Sequence, residues 1–300
     1  MLPQPGKVEL FGSNKIVGTG WLPRKPDLRD YTPDQKDIKA LSKKLGISKS
    51  KPAAESVDLR KWCSKVEDQG QLGSCTAQAG VGVVEYYQMR AFNKHLEGSR
   101  LFVYKTTRNL MQETGDTGGF LRYTMAALTT CGVPEEKFWP YDISKFDIDP
   151  GPFVYSIADN FEAVKYFCHD PLGGNVPYPT VLESVKKYIE AGIPSMFGFW
   201  GFPSFEKSNV IGGIPYPCLN ESAAWGHAVV AVGYDDKKKI KNLNCNKVTT
   251  GALLIRNSWG EDWGDKGYGW LPYDYVLNNL ADEFWSLLGM NWIDSNQFGI

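Results

Sequence analysis

The sequence predicts an α+β fold of two lobes, one mainly helical and one mainly built of strands. Helical spacing of apolar residues, with capping residues ahead of it, occurs in the first half of the chain. The second half contains short apolar or β-branched runs bounded by turn residues, such as 228–232 and 253–255, which are typical of buried strands. The 300 residues are 42% hydrophobic and 22% charged, which suits one large domain or two lobes.

The first 55 residues differ in composition from the rest and predict an N-terminal arm, 1–55, ahead of a compact domain, 56–300. The stretch 18–31 is dense in proline, glycine and charge, which is typical of an extended segment lying on a surface. The segment 32–35 offers a capping hydroxyl, a proline and a glutamine ahead of apolar residues at helical spacing, and predicts a short amphipathic helix. Lysines between 36 and 51 predict an exposed linker.

Two longer helices and a loop are predicted in the main domain. Ser74 would cap a helix from 75 to about 90, and a capping box at 180–183 would open a helix that stops at Gly192. Between the two predicted strands, 235–251 is rich in lysine and predicts a solvated hairpin loop.

Charge and hydropathy exclude several functional classes. Lys+Arg number 33 and Asp+Glu 34, so the formal net charge of -1 gives no global field that attracts nucleic acid or an anionic membrane. The longest apolar runs fall far short of the roughly 20 residues that a membrane-spanning helix needs. Cysteines and histidines lack the spacing of metal ligands, so we expect neither a metal nor a cofactor.

Three separated residues indicate a nucleophilic site. Cys75 stands at the predicted start of a helix, where free N–H groups and the helix dipole favour thiolate over thiol. His227 precedes one predicted strand and Asn257 ends the next, each beside glycine or aromatic residues. Each residue alone is most simply structural, but the three together favour Cys-His-Asn chemistry.

Four pieces of the sequence, in matching order and surroundings, resemble the papain-like cysteine peptidases, and the resemblance covers about residues 56–293. The pieces are 69–77, Gly118-Gly119, 227–229 and 257–260. The resemblance implies a papain-like two-lobed fold, with the cysteine helix in the helical lobe, histidine and asparagine on a barrel-like β-rich lobe, and a cleft between them. It implies a thiol protease, for which we favour an endopeptidase over an exopeptidase although the sequence does not separate the two.

The resemblance assigns a catalytic role to four residues. Cys75 would attack a peptide carbonyl as a thiolate paired with the imidazolium of His227, which later protonates the leaving amine. Asn257 would orient the imidazole. Gln69 would form an oxyanion hole with the backbone N–H of Cys75.

Substrate-binding residues follow from the same resemblance. Gly118 and Gly119 would pair with the main chain of an extended protein or peptide substrate, and Trp259 would cover the His–Asn hydrogen bond. An apolar pocket for a hydrophobic or aromatic residue, the second before the cut, would be lined by Phe120, Leu121 and Ala228.

The sequence departs from the family pattern at three places. Thr76 follows the nucleophile where an aromatic residue is usual. Leu72 and Asp116 stand where many members have two cysteines bridged to each other. The N-terminal region lacks the long helical pro-segment of the plant and lysosomal enzymes and looks like the short leader of bacterial members.

Five cysteines remain if Cys75 is the nucleophile, which allows at most two disulfides in a pairing that the sequence leaves open. These cysteines are Cys63, Cys131, Cys168, Cys218 and Cys245. From the resemblance to secreted digestive peptidases we expect a secreted or otherwise extracytoplasmic protein, with no signal peptide in this chain, that acts as a monomer.

The leading hypothesis is a peptidase made as a precursor, in which the arm covers the cleft as an intramolecular inhibitor until it is removed. A second hypothesis is an acyltransferase or deamidase that uses the same three residues. A third is a non-catalytic binding module that keeps only the fold.

Overall fold

The computed structural model describes residues 5–11, 13–24, 30–32, 35–44, 46–47, 52, 54–290 and 293–294. Its helices and strands follow one another along the chain, with helices concentrated between 75 and 190 and most strands after 195. The elements are β1 (Gly6–Glu9), β2 (Ile16–Thr19), α1 (Lys36–Lys44), β3 (Ser56–Asp58), α2 (Cys75–Phe92), α3 (Arg100–Met111), α4 (Leu121–Thr130), α5 (Pro152–Ala158), β4 (Ala163–Cys168), α6 (Tyr178–Glu190), β5 (Ser195–Gly201), β6 (Trp225–Lys241), β7 (Val248–Arg256), β8 (Tyr268–Pro272), α7 (Tyr273–Leu277), β9 (Ala281–Met290) and β10 (Ile293–Asp294).

The helical lobe is built on α2, which is almost entirely buried and packs against α3, α4 and β6. Two glycines allow this close packing. A side chain on Gly80 would meet Thr124 and Leu128 of α4, and one on Gly82 would meet the guanidinium of Arg256 at the end of β7. The sequence therefore brings the helical lobe and the strand lobe into direct contact along α2.

The strand lobe is an antiparallel sheet in the order β10-β9-β5-β6-β7-β8, with β3 paired to β6 and β4 paired to β9. The central strands are buried along most of their length, as their apolar and β-branched residues predict. Helices and strands thus form the predicted α+β architecture of two lobes.

Three predicted features have different boundaries or roles. Ser74 precedes α2 but its hydroxyl bonds to Tyr141 Oη at 2.6 Å and does not cap the helix. The capping box at 180–183 is wrong, because α6 already begins at Tyr178, and Pro179 in its first turn has a φ that suits the helix. The lysine-rich loop is also shorter than predicted, because β6 and β7 remain paired up to the Lys241–Val248 pair.

The arm contains three of the regular elements, β1, β2 and α1. Strands β1 and β2 form an antiparallel hairpin. Helix α1 confirms the short amphipathic helix and buries Ile38 completely in a small cluster with Phe167, Tyr188, Ile193 and Leu288. Pro33, Asp34, Leu45 and residues 48–51 of the lysine-rich linker lie outside the described residues.

One disulfide joins Cys218 to Cys245, and Cys63, Cys75, Cys131 and Cys168 carry free thiols. Within the described part of the chain, no helix has the length and apolar character that crossing a membrane requires.

Candidate active site

Cys75 is the first residue of α2 and is completely buried. The backbones of Ala228, Gly20 and Thr76 lie near its sulfur and act to lower the thiol pKa. Burial outweighs them and raises the pKa of Cys75 to about 11. The thiol is therefore neutral at pH 7 in this structure, even though it lies at a helix N-terminus.

His227 and Asn257 form a direct hydrogen bond across two neighbouring strands. His227 lies near the start of β6, Asn257 directly follows β7, and the Nε2–Oδ1 distance is 2.7 Å. Asn257 Oδ1 also accepts from the backbone N–H of Ser258 at 2.8 Å, which fixes the amide. The other ring nitrogen of His227, Nδ1, is buried and has no hydrogen-bond partner among the described residues. Since Nε2 is bonded to Asn257, Nδ1 is the nitrogen that can accept or donate a proton.

The indole of Trp259 stacks on the imidazole of His227, with ring centroids 4.5 Å apart and planes inclined by 27°. Both rings are completely buried. Burial lowers the pKa of His227 to about 4, against a smaller raising effect of the Asn257 hydrogen bond. The imidazole of His227 is therefore neutral near pH 7.

Gln69 is completely buried, and its side chain is held from two sides. Its Oε1 accepts from Ser258 Oγ at 2.6 Å, and its Nε2 donates to the carbonyls of Leu72 at 2.8 Å and Gly18 at 3.1 Å. The Ser258 contact was not expected from the sequence. The sequence indicated it only through the position of Ser258 directly after Asn257, which places a hydroxyl beside a candidate catalytic residue.

The arm passes through the cleft between the lobes as an extended chain. Gly119 N–H donates to the carbonyl of Gly20 at 2.8 Å, and Leu22 N–H donates to the carbonyl of Gly119 at 3.1 Å. Trp21 and Gly119 form a parallel bridge, and Gly18 N–H donates to the carbonyl of Gly70 at 2.8 Å. In this structure, therefore, the arm pairs with the main chain of Gly119.

Glycines allow this close approach on both chains. A side chain on Gly20 would lie 2.0 Å from the carbonyl oxygen of Gly73, and one on Gly18 would lie 2.2 Å from that of Leu72. On the opposite wall, Gly118 has φ +73°, and a side chain there would lie 2.2 Å from the carbonyl oxygen of Gly20. The arm sequence Gly18-Thr19-Gly20 fits the cleft because it lacks side chains at the two points of contact.

The predicted pocket residues lie on two different walls. Phe120 and Leu121 are buried at the start of α4, directly after Gly119, where Leu121 joins the main core. Ala228 lies on β6 beside His227 and is paired with Gly198 of β5. The ring of Trp21 from the arm lies over Gly198, where a side chain would come within 2.0 Å of it.

Asp116 makes a connection at the place where many members of the resembled family have a disulfide. Its Oδ1 accepts from the backbone N–H of Gly73 at 2.9 Å and from Tyr104 Oη at 2.6 Å. The loop before Cys75 is thus joined by hydrogen bonds to the loop before Gly118. At the other departure, the Thr76 hydroxyl is buried where a side chain on Gly119 would contact it.

Comparisons of the sequence and of the structure with known proteins agree on one protein family. Residues 53–278 match the sequence profile described as Papain family cysteine protease. An uncharacterised peptidase C1-like protein of Acanthamoeba polyphaga mimivirus is 34% identical over 278 residues, covering 89% of this chain and 85% of its own. Cathepsin K of Gallus gallus is 27% identical over 223 residues, which cover 73% of this chain and 59% of the cathepsin.

Among solved structures, xylellain, a cysteine protease from Xylella fastidiosa, is similar with a TM-score of 0.70 and 29% identity, over 91% of this chain and 96% of that chain. The digestive procathepsin L 3 of Tenebrio molitor has the same fold at 21% identity, with a TM-score of 0.60 over 80% of this chain and 72% of that one. The chain belongs to the papain family of cysteine proteases.

Proposed function

We propose that this chain hydrolyses peptide bonds through Cys75, His227 and Asn257, and that residues 1–55 hold it latent until the arm leaves the cleft. The single observation that carries the catalytic proposal is the hydrogen bonding of the His227 imidazole. Its Nε2 bonds to Asn257, its Nδ1 is left without a partner among the described residues, and the backbone of the next residue, Ala228, lies near the Cys75 sulfur.

The proposed reaction begins with transfer of the Cys75 proton to His227 Nδ1. The thiolate attacks the peptide carbonyl carbon, forming a C–S bond while the carbonyl oxygen becomes an oxyanion. Collapse breaks the C–N bond, and the amine leaves with the proton from His227. Water then attacks the thioester, giving its proton to His227, and the acid product leaves as the thiol is restored.

Gln69 would supply one of the two donors for the oxyanion, with the Cys75 backbone N–H as the other. Its Nε2 already donates to a carbonyl, that of Gly18, and Ser258 holds its amide in that orientation. Losing a donor of this kind typically costs on the order of 100- to 1,000-fold in rate.

The latency proposal depends on what the arm does to the two reacting groups. The Gly20 backbone lies near the Cys75 sulfur and Gly18 takes the Gln69 donor, so the space that a substrate carbonyl needs is filled. Burial raises the pKa of Cys75 to about 11 and lowers that of His227 to about 4, so both groups are neutral near pH 7. Departure of the arm would admit water and allow the thiolate–imidazolium pair to form.

An endopeptidase is favoured by the path of the arm. The arm main chain is bound at two successive places, at Gly70 by Gly18 and at Gly119 by Gly20 and Leu22, while Gly20 between them lies near Cys75. A continuous chain therefore fits through the cleft, as cleavage within a polypeptide requires.

The Cys218–Cys245 disulfide favours an oxidising, extracytoplasmic compartment.

The catalytic proposal is tested on the full chain carrying Gly20→Ala, which displaces the arm because a side chain there would lie 2.0 Å from the Gly73 carbonyl oxygen. Every variant below carries this substitution and is assayed with internally quenched peptides, followed by labelling with a thiol-reactive epoxide. We expect peptide cleavage that is lost in Cys75→Ala, with labelling confined to Cys75. Cys131→Ala is the matched control, because it removes a half-buried free thiol elsewhere, and it should keep both activity and labelling. Cleavage that survives Cys75→Ala would contradict the proposal, and amine incorporation without cleavage would favour an acyltransferase.

A further inference from the structure

The hydroxyl of Tyr141 joins the two ends of the loop that carries both proposed oxyanion donors. The loop runs from Gln69, whose side-chain Nε2 is one donor, to Ser74, which directly precedes the backbone N–H of Cys75. Tyr141 Oη donates to the Gln69 carbonyl at 3.0 Å and lies 2.6 Å from Ser74 Oγ. One oxygen atom from a distant segment thus contacts both ends of the loop.

The direction of these two hydrogen bonds follows from the number of protons. A tyrosine hydroxyl carries one hydrogen, and a carbonyl oxygen can only accept. The Tyr141 proton therefore lies in the bond to Gln69, and Ser74 Oγ is the donor in the second bond. Burial raises the pKa of Tyr141, so its hydroxyl keeps the proton at neutral pH. Removal of this single hydroxyl would break both bonds.

The main chain of Gln69 is held from both lobes. Its N–H donates to the carbonyl of Ser258 at 2.9 Å, and its carbonyl accepts from Tyr141. Gly70 follows with φ +59°, so the chain turns sharply directly after these two bonds. The strand lobe thus fixes the Gln69 N–H, and Tyr141 fixes its carbonyl.

Tyr141 lies between α4 and α5 and is itself held in place. Its backbone N–H donates to Glu136 Oε1, and its ring packs against the main core. The carbonyl of Trp139, two residues earlier, accepts from the hydroxyl of Ser99, which also caps α3. The Tyr141 hydroxyl is therefore presented by a segment that is bonded to the helical lobe.

Both oxyanion donors must reach one oxygen atom at about 2.7–3.1 Å to stabilise the transition state. Gln69 and Cys75 are six residues apart, so the relative position of the two donors depends on the shape of the loop between them. We propose that Tyr141 is a positioning residue, whose hydroxyl fixes this loop so that the two donors converge. The inference rests on the proposed peptidase function and adds a residue to its oxyanion site.

The test uses the full chain with Gly20→Ala, which displaces the arm, as the parent. Tyr141→Phe removes both bonds and keeps the ring, whereas Ser74→Ala removes only the bond that Ser74 donates. We expect Tyr141→Phe to lower kcat for internally quenched peptides about tenfold with little change in KM, because the two donors lose their alignment. Ser74→Ala should cost less, and adding it to Tyr141→Phe should cost little more, since both act through one hydroxyl.

Alkylation of Cys75 by iodoacetamide separates positioning of the donors from a general disturbance of the nucleophile. This reaction needs the thiolate but forms no oxyanion, so Tyr141→Phe should leave its rate unchanged. The matched control is Tyr155→Phe, which removes a hydroxyl bonded to Asp149 at 2.7 Å in the same lobe. This control should keep the kcat of the parent.

An unchanged kcat in Tyr141→Phe, an equal fall in hydrolysis and alkylation, or a full additional loss in the double variant would overturn the inference. If Tyr141→Phe does not fold, Ser74→Ala decides by the same two rates: a lower kcat with unchanged alkylation supports the role, and an unchanged kcat overturns it. Hydrolysis in the parent that neither variant slows overturns only the role of Tyr141. A parent that does not hydrolyse peptides overturns the peptidase function and, with it, this role.

Discussion

The side-chain amide of Gln69 donates a hydrogen bond of 3.1 Å to the carbonyl of Gly18, a residue of the arm 51 positions earlier in the chain. The same amide accepts from Ser258 on the strand lobe. One side chain thus connects the arm, the loop before the nucleophile and the segment that carries Asn257. Under the proposed mechanism, the arm and a substrate carbonyl compete for the same donor.

Replacement of Ser258 by alanine should slow peptide hydrolysis about tenfold, mainly in kcat, because the Gln69 amide loses the bond that fixes its orientation. The effect should be smaller than that of Gln69→Ala, which removes the donor. Steady-state kinetics in a Gly20→Ala background measure both. Ser156→Ala, on the exposed face of α5, is the control. A change confined to KM would argue against a positioning role.

Asp116→Ala should lower the free energy of unfolding by about 1–3 kcal/mol, because it leaves the Gly73 N–H and the buried Tyr104 hydroxyl without their acceptor. Urea unfolding of the full chain measures this change. The matched control is Asp159→Ala at an exposed position, which should stay within about 0.5 kcal/mol. Equal stability of the two variants would show that Asp116 does not connect the two loops energetically.

Glu85→Gln should destabilise the fold by roughly 3–5 kcal/mol, because it leaves the buried guanidinium of Arg100 with only the more distant carboxylate of Glu67, 4.0 Å away. Glu85 is completely enclosed, with its carboxylate 2.9 Å from Arg100 Nη2, and it accepts from the hydroxyl of Ser64. Ser64 in turn accepts from Arg256 at the end of β7. Thermal and urea unfolding measure the loss, and exposed Glu113→Gln should show none.

Buried His169 should make stability depend on pH in the acid range. Its ring lies between the hydroxyls of Ser184 and Ser286, and burial lowers its pKa to about 3. The unfolded chain binds the proton near pH 6.5 and the folded chain does not, so this contribution is complete above about pH 6.5 and is lost as the pH falls toward 3.

The loss attributable to His169 should reach about 3 kcal/mol near pH 4. Unfolding free energies measured at both ends of this range should therefore differ less in His169→Gln than in the unsubstituted chain. The comparison variant is His95→Gln, at a half-buried site. An identical acid dependence in His169→Gln would contradict the assignment.

The sequence predicted the α+β fold and the family because both follow from local patterns. Glycine and aromatic residues around Cys75, His227 and Asn257 fix the ends of regular elements, and these ends lie together once α2 packs on β6. The capping box at 180–183 predicted the wrong start for α6. Pro179 comes before it and also suits the first turn of a helix, so α6 begins at Tyr178.

Contacts between distant segments could not be predicted in this way. Arg24 in the arm bonds to Asp170 and Asp282, and nothing local to it indicates these partners, because their proximity depends on the register of β5 and β9. The same holds for the contact of Gly20 with Cys75. The two arm glycines were visible in the sequence, but only the structure shows that each lies against the backbone of the loop before the nucleophile.

The most direct test of the latent-peptidase account is the rate at which iodoacetamide alkylates Cys75 at neutral pH in the full chain and in Gly20→Ala. The substitution places a methyl group 2.0 Å from the Gly73 carbonyl oxygen and should displace the arm without altering the proposed catalytic groups. Gly151→Ala, where a side chain meets nothing within 4 Å, is the control.

Since burial raises the pKa of Cys75 to about 11, the thiolate in the covered chain is on the order of 100-fold scarcer than in an exposed cysteine. The account predicts that Gly20→Ala accelerates alkylation by about this factor, with a parallel rise in peptide hydrolysis, while Gly151→Ala behaves as the unsubstituted chain. Rapid alkylation of Cys75 in the unsubstituted chain, unchanged by Gly20→Ala, would contradict it.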